Sequence, residues 1–389
     1  MLFHKRPALI VVGALLATSA CGGNGAVPSG VGANNALPQV AVGDESVSPA
    51  TVDTTSILKK LKKDVLIGST VDPGNGDTGP RSLFIAPTTY GHLTKGQLVT
   101  CNFADSSGTA GKGTTVEVLD AKPGSKPKTF VQYAKNQGCD GAAVNSGNDV
   151  FAAGMSAGDV EKFNQDAKPE KTYTTPMEAP LVDADADCSL PYAPESMFVG
   201  DAQTGSVVKF ASGLYGLKSP VAVITGFAVS GSGWTALGPG GIQYNAKLIT
   251  HNKCNDTLYV IDGVDDTLVA VKTASNLLTT GEIQVLPGGK TFNCKEKKFT
   301  CASLLYSGLP LKEPVALALL PNGNLVVANG RAGNTLVEIS AAGKVLATKR
   351  LNSDKKAEVY GLLAVGTKDT NTTLFYTDTA DNSVHELEP

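Results

Sequence analysis

Charge is scarce in this chain. Asp, Glu, Lys and Arg make up 18% of 389 residues, and 36 acidic against 33 basic side chains leave a net charge of -3. Coiled coils, long solvated helices and acidic disordered tails need more charge than this. No basic field of the kind that holds nucleic acid is present, so no nucleic-acid partner is expected. Histidine occurs four times and tryptophan once, which leaves few side chains for proton transfer or metal binding. No G-x-S-x-G elbow, phosphate-binding glycine loop or zinc-spaced Cys/His set occurs. Glycine and proline, by contrast, are plentiful at 43 and 21 residues. With 42% hydrophobic residues, this composition points to a turn-rich, β-rich globular protein with a sizeable core.

Long apolar runs are missing except at the start. Residues 1–20 place His4, Lys5 and Arg6 before an apolar stretch from Ala8 to Ala17, and small residues then lead to Cys21. The stretch falls short of the ~20 apolar residues of a membrane-spanning helix and has the order of a secretory signal peptide. It resembles the bacterial lipoprotein signal, although Thr18 stands where that family usually carries Leu. The resemblance implies acylation of Cys21 as the first mature residue; simple cleavage after Ala20 is the alternative. Gly22, rather than Asp, follows. An outer-membrane lipoprotein, or a periplasmic or secreted protein, of a bacterium is therefore expected, with membrane contact through the lipid alone. Residues 21–55 lack aromatics and any sustained period, and constitute a flexible tether. The folded domain is expected over 56–389, opening with a helical turn or two from Ser56 whose lysines face solvent.

An internal repeat organises that domain. Six segments share four mostly apolar residues followed by Asn, Gly or Asp, then a turn and a second short strand. They begin at Leu98, Val150, Met197, Leu258, Leu325 and Leu374, separated by 47 to 67 residues, and end at Asn102, Gly154, Asp201, Asp262, Asn329 and Asp378. An apolar run precedes most of them, and a further strand often follows, as in Lys128–Val131 and Val345–Thr348. That length suits a four-stranded propeller blade. The sixth unit ends near the C-terminus without its outer strand, and Asp64–Gly68 is the segment expected to supply it and close a ring. The expected fold is all-β, a six-bladed β-propeller closed by an N-terminal strand. An echo between Gly213–Ala222 and Gly308–Ala316 leaves a seven-bladed count as the alternative.

The units LYVIDGVDDTLVAV, LVVANGRAGNTLVEI and LFYTDTADNSVHEL resemble NHL-type and SMP-30/gluconolactonase-like propeller repeats over roughly residues 64–389. Lactonases of that kind hold a divalent cation at the openings of the inner strands. The matching positions here are Arg81, Asp140, Gly240, Val315 and Tyr360, with no aligned position in the third blade; of the five, Asp140 alone suits a hard cation, and Ca²⁺ takes six to eight oxygens. No cofactor is therefore expected, with Ca²⁺ as the alternative and Asp140 as its candidate ligand. The recurring Asp/Asn position is read as a turn-tying acceptor. Asp183–Asp187 has the start of a calcium loop but lacks its glycine and final glutamate, and is read as a solvated acidic turn. His92, His251 and His385 fall in different contexts, and His385 is read as an ordinary half-buried strand residue.

Six cysteines besides Cys21, in a chain bound for an oxidising compartment, imply disulfides. In an up-and-down blade the first strand starts on the face where the second ends. Cys139, Cys188 and Cys101 then share one face, and Cys254, Cys294 and Cys301 the other. The expected bonds are Cys294–Cys301 and Cys139 with either Cys188 or Cys101. Functionally, the chain is expected to be a monomeric, non-catalytic binding or scaffolding module for a protein, peptide or glycan. The surface is expected in excursions 103–113, 226–240 and 287–303, with Trp234, Tyr215 and Tyr244 as aromatic contacts. A divalent-cation-dependent lactonase or hydrolase and a structural envelope protein are the alternatives.

Overall fold

A computed structural model describes residues 55–174, 181–184, 196–210, 219–232, 235–250, 253–295, 300–330, 334–351 and 358–389. Short β-prone runs broken by Gly, Asn and Asp satisfy their backbone groups by folding back on themselves. They build six sheets. Blade 1 comprises Thr78–Ile85, Leu98–Ala104, Thr115–Leu119 and Lys128–Gln132. Blade 2 comprises Cys139–Val144, Val150–Gly154, Asp159–Phe163 and Pro169–Thr174. Blade 3 begins with Leu181–Ala184, Ser196–Asp201, Ser206–Phe210 and Val221–Thr225. Blade 4 holds Pro239–Thr250, Lys253–Asp262, Thr267–Lys272 and Ala302–Ser307. Blade 5 holds Ala316–Leu319, Leu325–Asn329, Thr335–Ile339 and Val345–Arg350. Blade 6 has Leu362–Val365, Thr373–Asp378 and Ser383–Glu388. Each innermost strand packs beside that of the next blade, and blade 6 returns to blade 1. The result is a six-bladed β-propeller, with no seventh sheet among the described residues.

The fourth strand of blade 6 comes from the other end of the chain. Lys63–Ser69 pairs antiparallel with Ser383–Glu388, with Asp64 opposite Leu387 and Ser69 opposite Ser383. Ile67 on this strand is fully buried with Leu98, Phe375 and Val384. Just before it, residues 56–61 make one turn, with Lys60 N–H bonded to Ile57 O at 2.8 Å, and not a helix. The turn is anchored, because Ile57, Leu58 and Leu61 are buried against blades 5 and 6. The buried Glu338 accepts hydrogen bonds from Ser56 Oγ and from the backbone N–H groups of Ile57 and Leu58. Among the described residues no helix is long and apolar enough to cross a membrane.

Blade 3 carries an addition that strand patterning does not reveal. Ile283–Val285 pairs in parallel with Val221–Thr225 and turns back into Phe292–Cys294. Ile283, Val285 and Cys294 are buried in the core between blades 3 and 4, so part of the 287–303 excursion is core and not irregular surface. The turn-tying role of the recurring acidic position is observed directly. Asp201 Oδ1 accepts the N–H groups of Gln203 and Thr204, Asp262 Oδ1 that of Val264, and Asp378 Oδ1 that of Ala380.

Two residues inward from that turn, the blades divide. The cross-strand pairs there are Val199/Val208, Val260/Val269 and Val327/Val337 in blades 3, 4 and 5. In blades 6, 1 and 2 they are Tyr376/His385, Thr100/Glu117 and Ala152/Glu161. Glu117 is fully buried, and no donor among the described residues reaches either carboxylate oxygen. Burial, followed by the neighbouring Asp72, pushes its carboxyl up to about 9. Glu117 is thus a neutral acid at pH 7 beside the ionised Asp72.

Candidate functional site at the upper channel mouth

We call the face on which each inner strand begins the upper face. Arg81, Asp140, Gly240, Val315 and Tyr360 lie there at or beside the openings of the inner strands of blades 1, 2, 4, 5 and 6. Neighbours meet around the channel: a Cβ built on Gly240 would lie 3.8 Å from Val315 Cα. The direction of Arg81 comes from a backbone irregularity. Pairing of the first two strands of blade 1 slips between Arg81 and Phe84, and Ser82 takes a left-handed φ of 58°. Such bulges re-aim a side chain. Ser82 is held in place because its carbonyl accepts Thr100 Oγ–H at 3.0 Å and its Oγ accepts Ala142 N–H at 2.9 Å.

Arg81 then reaches the next blade, where its Nη1 donates to Asp140 Oδ1. Its guanidinium carbon sits 3.5 Å from the Phe103 ring centroid and 4.2 Å from that of Tyr360. Two aromatic faces and one carboxylate hold this cation by charge, quadrupole and hydrogen bond together. The Arg81 and Asp140 side chains are only 11% and 7% exposed. Asp140 is the one carboxylate among the five positions, and the protein's own cation engages it. A Ca²⁺ ion would need several more oxygens than these five positions offer, so among the described residues they do not fit a resident calcium. Beside them Phe103, Met155 and Ala202, each following the last residue of the repeat segment in blades 1 to 3, pack with Ala236 in a buried apolar cluster.

The other expected contacts are placed as follows. Tyr244 is not a surface residue: its ring packs on Phe198 at 5.3 Å, and its hydroxyl donates to Asp256 Oδ2 at 3.0 Å. It lies on the strand face turned toward blade 3, where period-2 alternation buries it. Trp234, Tyr215, Cys188 and Cys21 lie outside the described residues. Disulfides join Cys101 to Cys139 across blades 1 and 2, and Cys294 to Cys301. The upper face also exposes three large apolar side chains that composition did not single out, Leu309 at 79%, Val229 at 41% and Val71 at 36%. Leu309 stands in the Gly308–Pro310 turn, and an apolar residue between two turn formers was its only signal.

No family profile matches the chain, and no curated protein sequence matches it. Solved structures do. A nidogen/laminin complex aligns with a TM-score of 0.50 at 12% identity, covering 75% of this chain and 87% of that one. The virginiamycin B lyase from Staphylococcus aureus aligns at 0.42 and 12% identity, over 83% of this chain and 97% of that chain. A structural-genomics protein of unknown function from Bacteroides thetaiotaomicron aligns at 0.46 and 11% identity, over 83% and 74%. At such identities the likeness shows the propeller fold and nothing of activity.

Proposed function

We propose that this chain is an extracytoplasmic propeller, lipid-anchored or secreted, that binds a protein, peptide or glycan on its upper face and performs no chemistry in its channel. One observation carries the reading. The strand openings that would gather oxygens around a cation instead hold Arg81, locked to Asp140 between Phe103 and Tyr360. The two disulfides support an oxidising compartment, where such bonds persist. Rigid sheets presenting exposed apolar side chains on inter-blade loops suit recognition, and Leu309 and Val229 supply them here.

Hydrolysis of a lactone and ester panel, with and without Ca²⁺, tests the catalytic half on the wild-type protein and Asp140→Asn. No turnover above background is expected from either. Turnover that Asp140→Asn abolishes would replace the binding reading with the hydrolase. Peptide and glycan arrays test the other half, with Leu309→Asp expected to lose the wild-type signal.

A further inference from the structure

We propose that Asp378, Asp381 and His385 bind a divalent transition-metal ion, for which Zn²⁺ is the best fit, at the seam where the ring closes. The site follows from the last hairpin. Asp378 pairs opposite Ser383 and Tyr376 opposite His385, so Asp378 and His385 project from the same face of the sheet. Asp381 stands in the turn between the strands. One carboxylate oxygen from each aspartate and one ring nitrogen of His385 lie within 4.8 Å of one another. His385 Nε2 is 3.2 Å from Asp381 Oδ2. Ligands of a tetrahedral ion, each about 2.0–2.1 Å from it, stand about 3.3 Å apart.

Three further observations point to a cation. Asp378 is only 4% exposed, and its Oδ1 takes the N–H groups of Glu358 and Ala380. Both of these bonds end on Oδ1, which leaves Oδ2 on the side of Asp381 and His385 that the cluster shares. His385 has a carboxylate at each nitrogen, since Nδ1 lies 3.2 Å from Asp64 Oδ1. A neutral imidazole has one N–H, so the second contact calls for a positive charge between Nε2 and Asp381, supplied by a second ring proton or by a metal ion. Finally, the position is apolar in half the ring: blades 3, 4 and 5 pair Val with Val where this blade pairs Tyr376 with His385.

The surroundings complete the arrangement. Asp64 accepts Tyr376 O–H at 2.8 Å, and the Tyr376 ring stacks on His385 at 5.0 Å with 13° between planes. Asp64 thus fixes the ring orientation from behind, as outer-shell carboxylates do for metal-bound histidines. One imidazole nitrogen with two carboxylates suits Zn²⁺ or Mn²⁺ and not Ca²⁺, which takes oxygen ligands only. The Asp381 side chain is 35% exposed, giving the ion a way in. Asp64 comes from the N-terminal strand and its partners Tyr376 and His385 from the last hairpin, so the site stands on the contacts that close the ring.

Titration of the purified full chain with Zn²⁺, and with Co²⁺ as a spectroscopic probe, tests this. One equivalent should bind, with Co²⁺ showing visible absorption typical of nitrogen and oxygen ligation. Asp381→Asn, in an exposed turn that leaves the fold intact, should weaken binding at least tenfold, and His385→Ala should abolish it. Asp64→Asn, changing a positioning residue, should weaken binding roughly 10–100-fold and shift the Co²⁺ spectrum. No stoichiometric binding of either metal would overturn the proposal, as would equal binding by Asp381→Asn. A Ca²⁺ preference indifferent to His385→Ala would do the same, as would a ¹⁵N spectrum showing His385 as imidazolium and unmoved by Zn²⁺. None of these outcomes bears on the channel mouth, so the binding reading stands or falls separately.

Discussion

Replacing Glu117 with Gln should make the protein more stable at neutral and alkaline pH. Glu117 is fully buried, lacks a donor for either oxygen, and has its carboxyl raised from 4.5 to about 9 by burial and then by Asp72. Between those values the folded protein keeps a proton that the unfolded chain releases, so this residue's contribution falls as pH rises. The slope is about 1.4 kcal/mol per pH unit, which amounts to about 3 kcal/mol at pH 7 relative to acidic solution. Gln copies the shape of the neutral acid and donates an N–H toward Asp72 without titrating. Asp72 itself stays ionised: burial opposes this, but Thr129 and the N–H groups of Asn75 and Gly74 donate to it and hold its carboxyl low. Urea unfolding of wild type and Glu117→Gln at pH 5, 7 and 9 measures the effect. The stability difference should be near zero at pH 5, favour Gln by about 2–3 kcal/mol at pH 7, and grow further by pH 9. Asp159 and Asp262, each raised to about 6 chiefly by burial, titrate identically in both proteins and cancel. A Gln variant less stable than wild type at pH 7, with no pH trend in the difference, would mean that Glu117 is not held neutral in the folded protein.

Other perturbations follow from the same contacts. Arg81→Ala should cost about 3–5 kcal/mol by stranding the buried Asp140 carboxylate, whereas Arg81→Met with Asp140→Leu should cost markedly less; denaturant midpoints separate the two. Removing the Cys101–Cys139 bond, which spans 38 residues, as a double Ala variant should lower stability by about 4 kcal/mol, read by calorimetry under non-reducing conditions. Ile67→Ala should cost about 2–5 kcal/mol and expose the N-terminal strand to proteolysis before any other, because this residue seats the closing strand.

The blades were legible because strand pairing leaves a local trace. Apolar runs such as Leu325–Asn329 and Leu336–Ile339 sit next to each other in the chain, with a turn-forming residue between, and the absent outer strand of the last repeat pointed to residues 64–68. Blade 3 was harder. Its inner strand is four residues, Leu181–Ala184, followed by alternating acids and alanines that carry little apolar signal. The parallel pairing of Ile283–Val285 with a strand some sixty residues earlier has no local signature at all. The strand-opening positions were found by repeat alignment, but the contact of Arg81 with Asp140 depends on a bulge at Ser82 that no sequence period encodes. His385 passed for an ordinary strand residue because Asp64, its partner, lies 321 positions away. Aligning it with Val208, Val269 and Val337 was the signal that could have separated it.

On the proposed reading, a guanidinium of the chain occupies the place a cation would take at the channel mouth. Crystals grown in Ca²⁺ and Mn²⁺, with anomalous scattering recorded for each, examine that place directly. No anomalous density is expected near Asp140, with Arg81 bonded to it between Phe103 and Tyr360. An ion coordinated by Asp140, with Arg81 swung away, would contradict it.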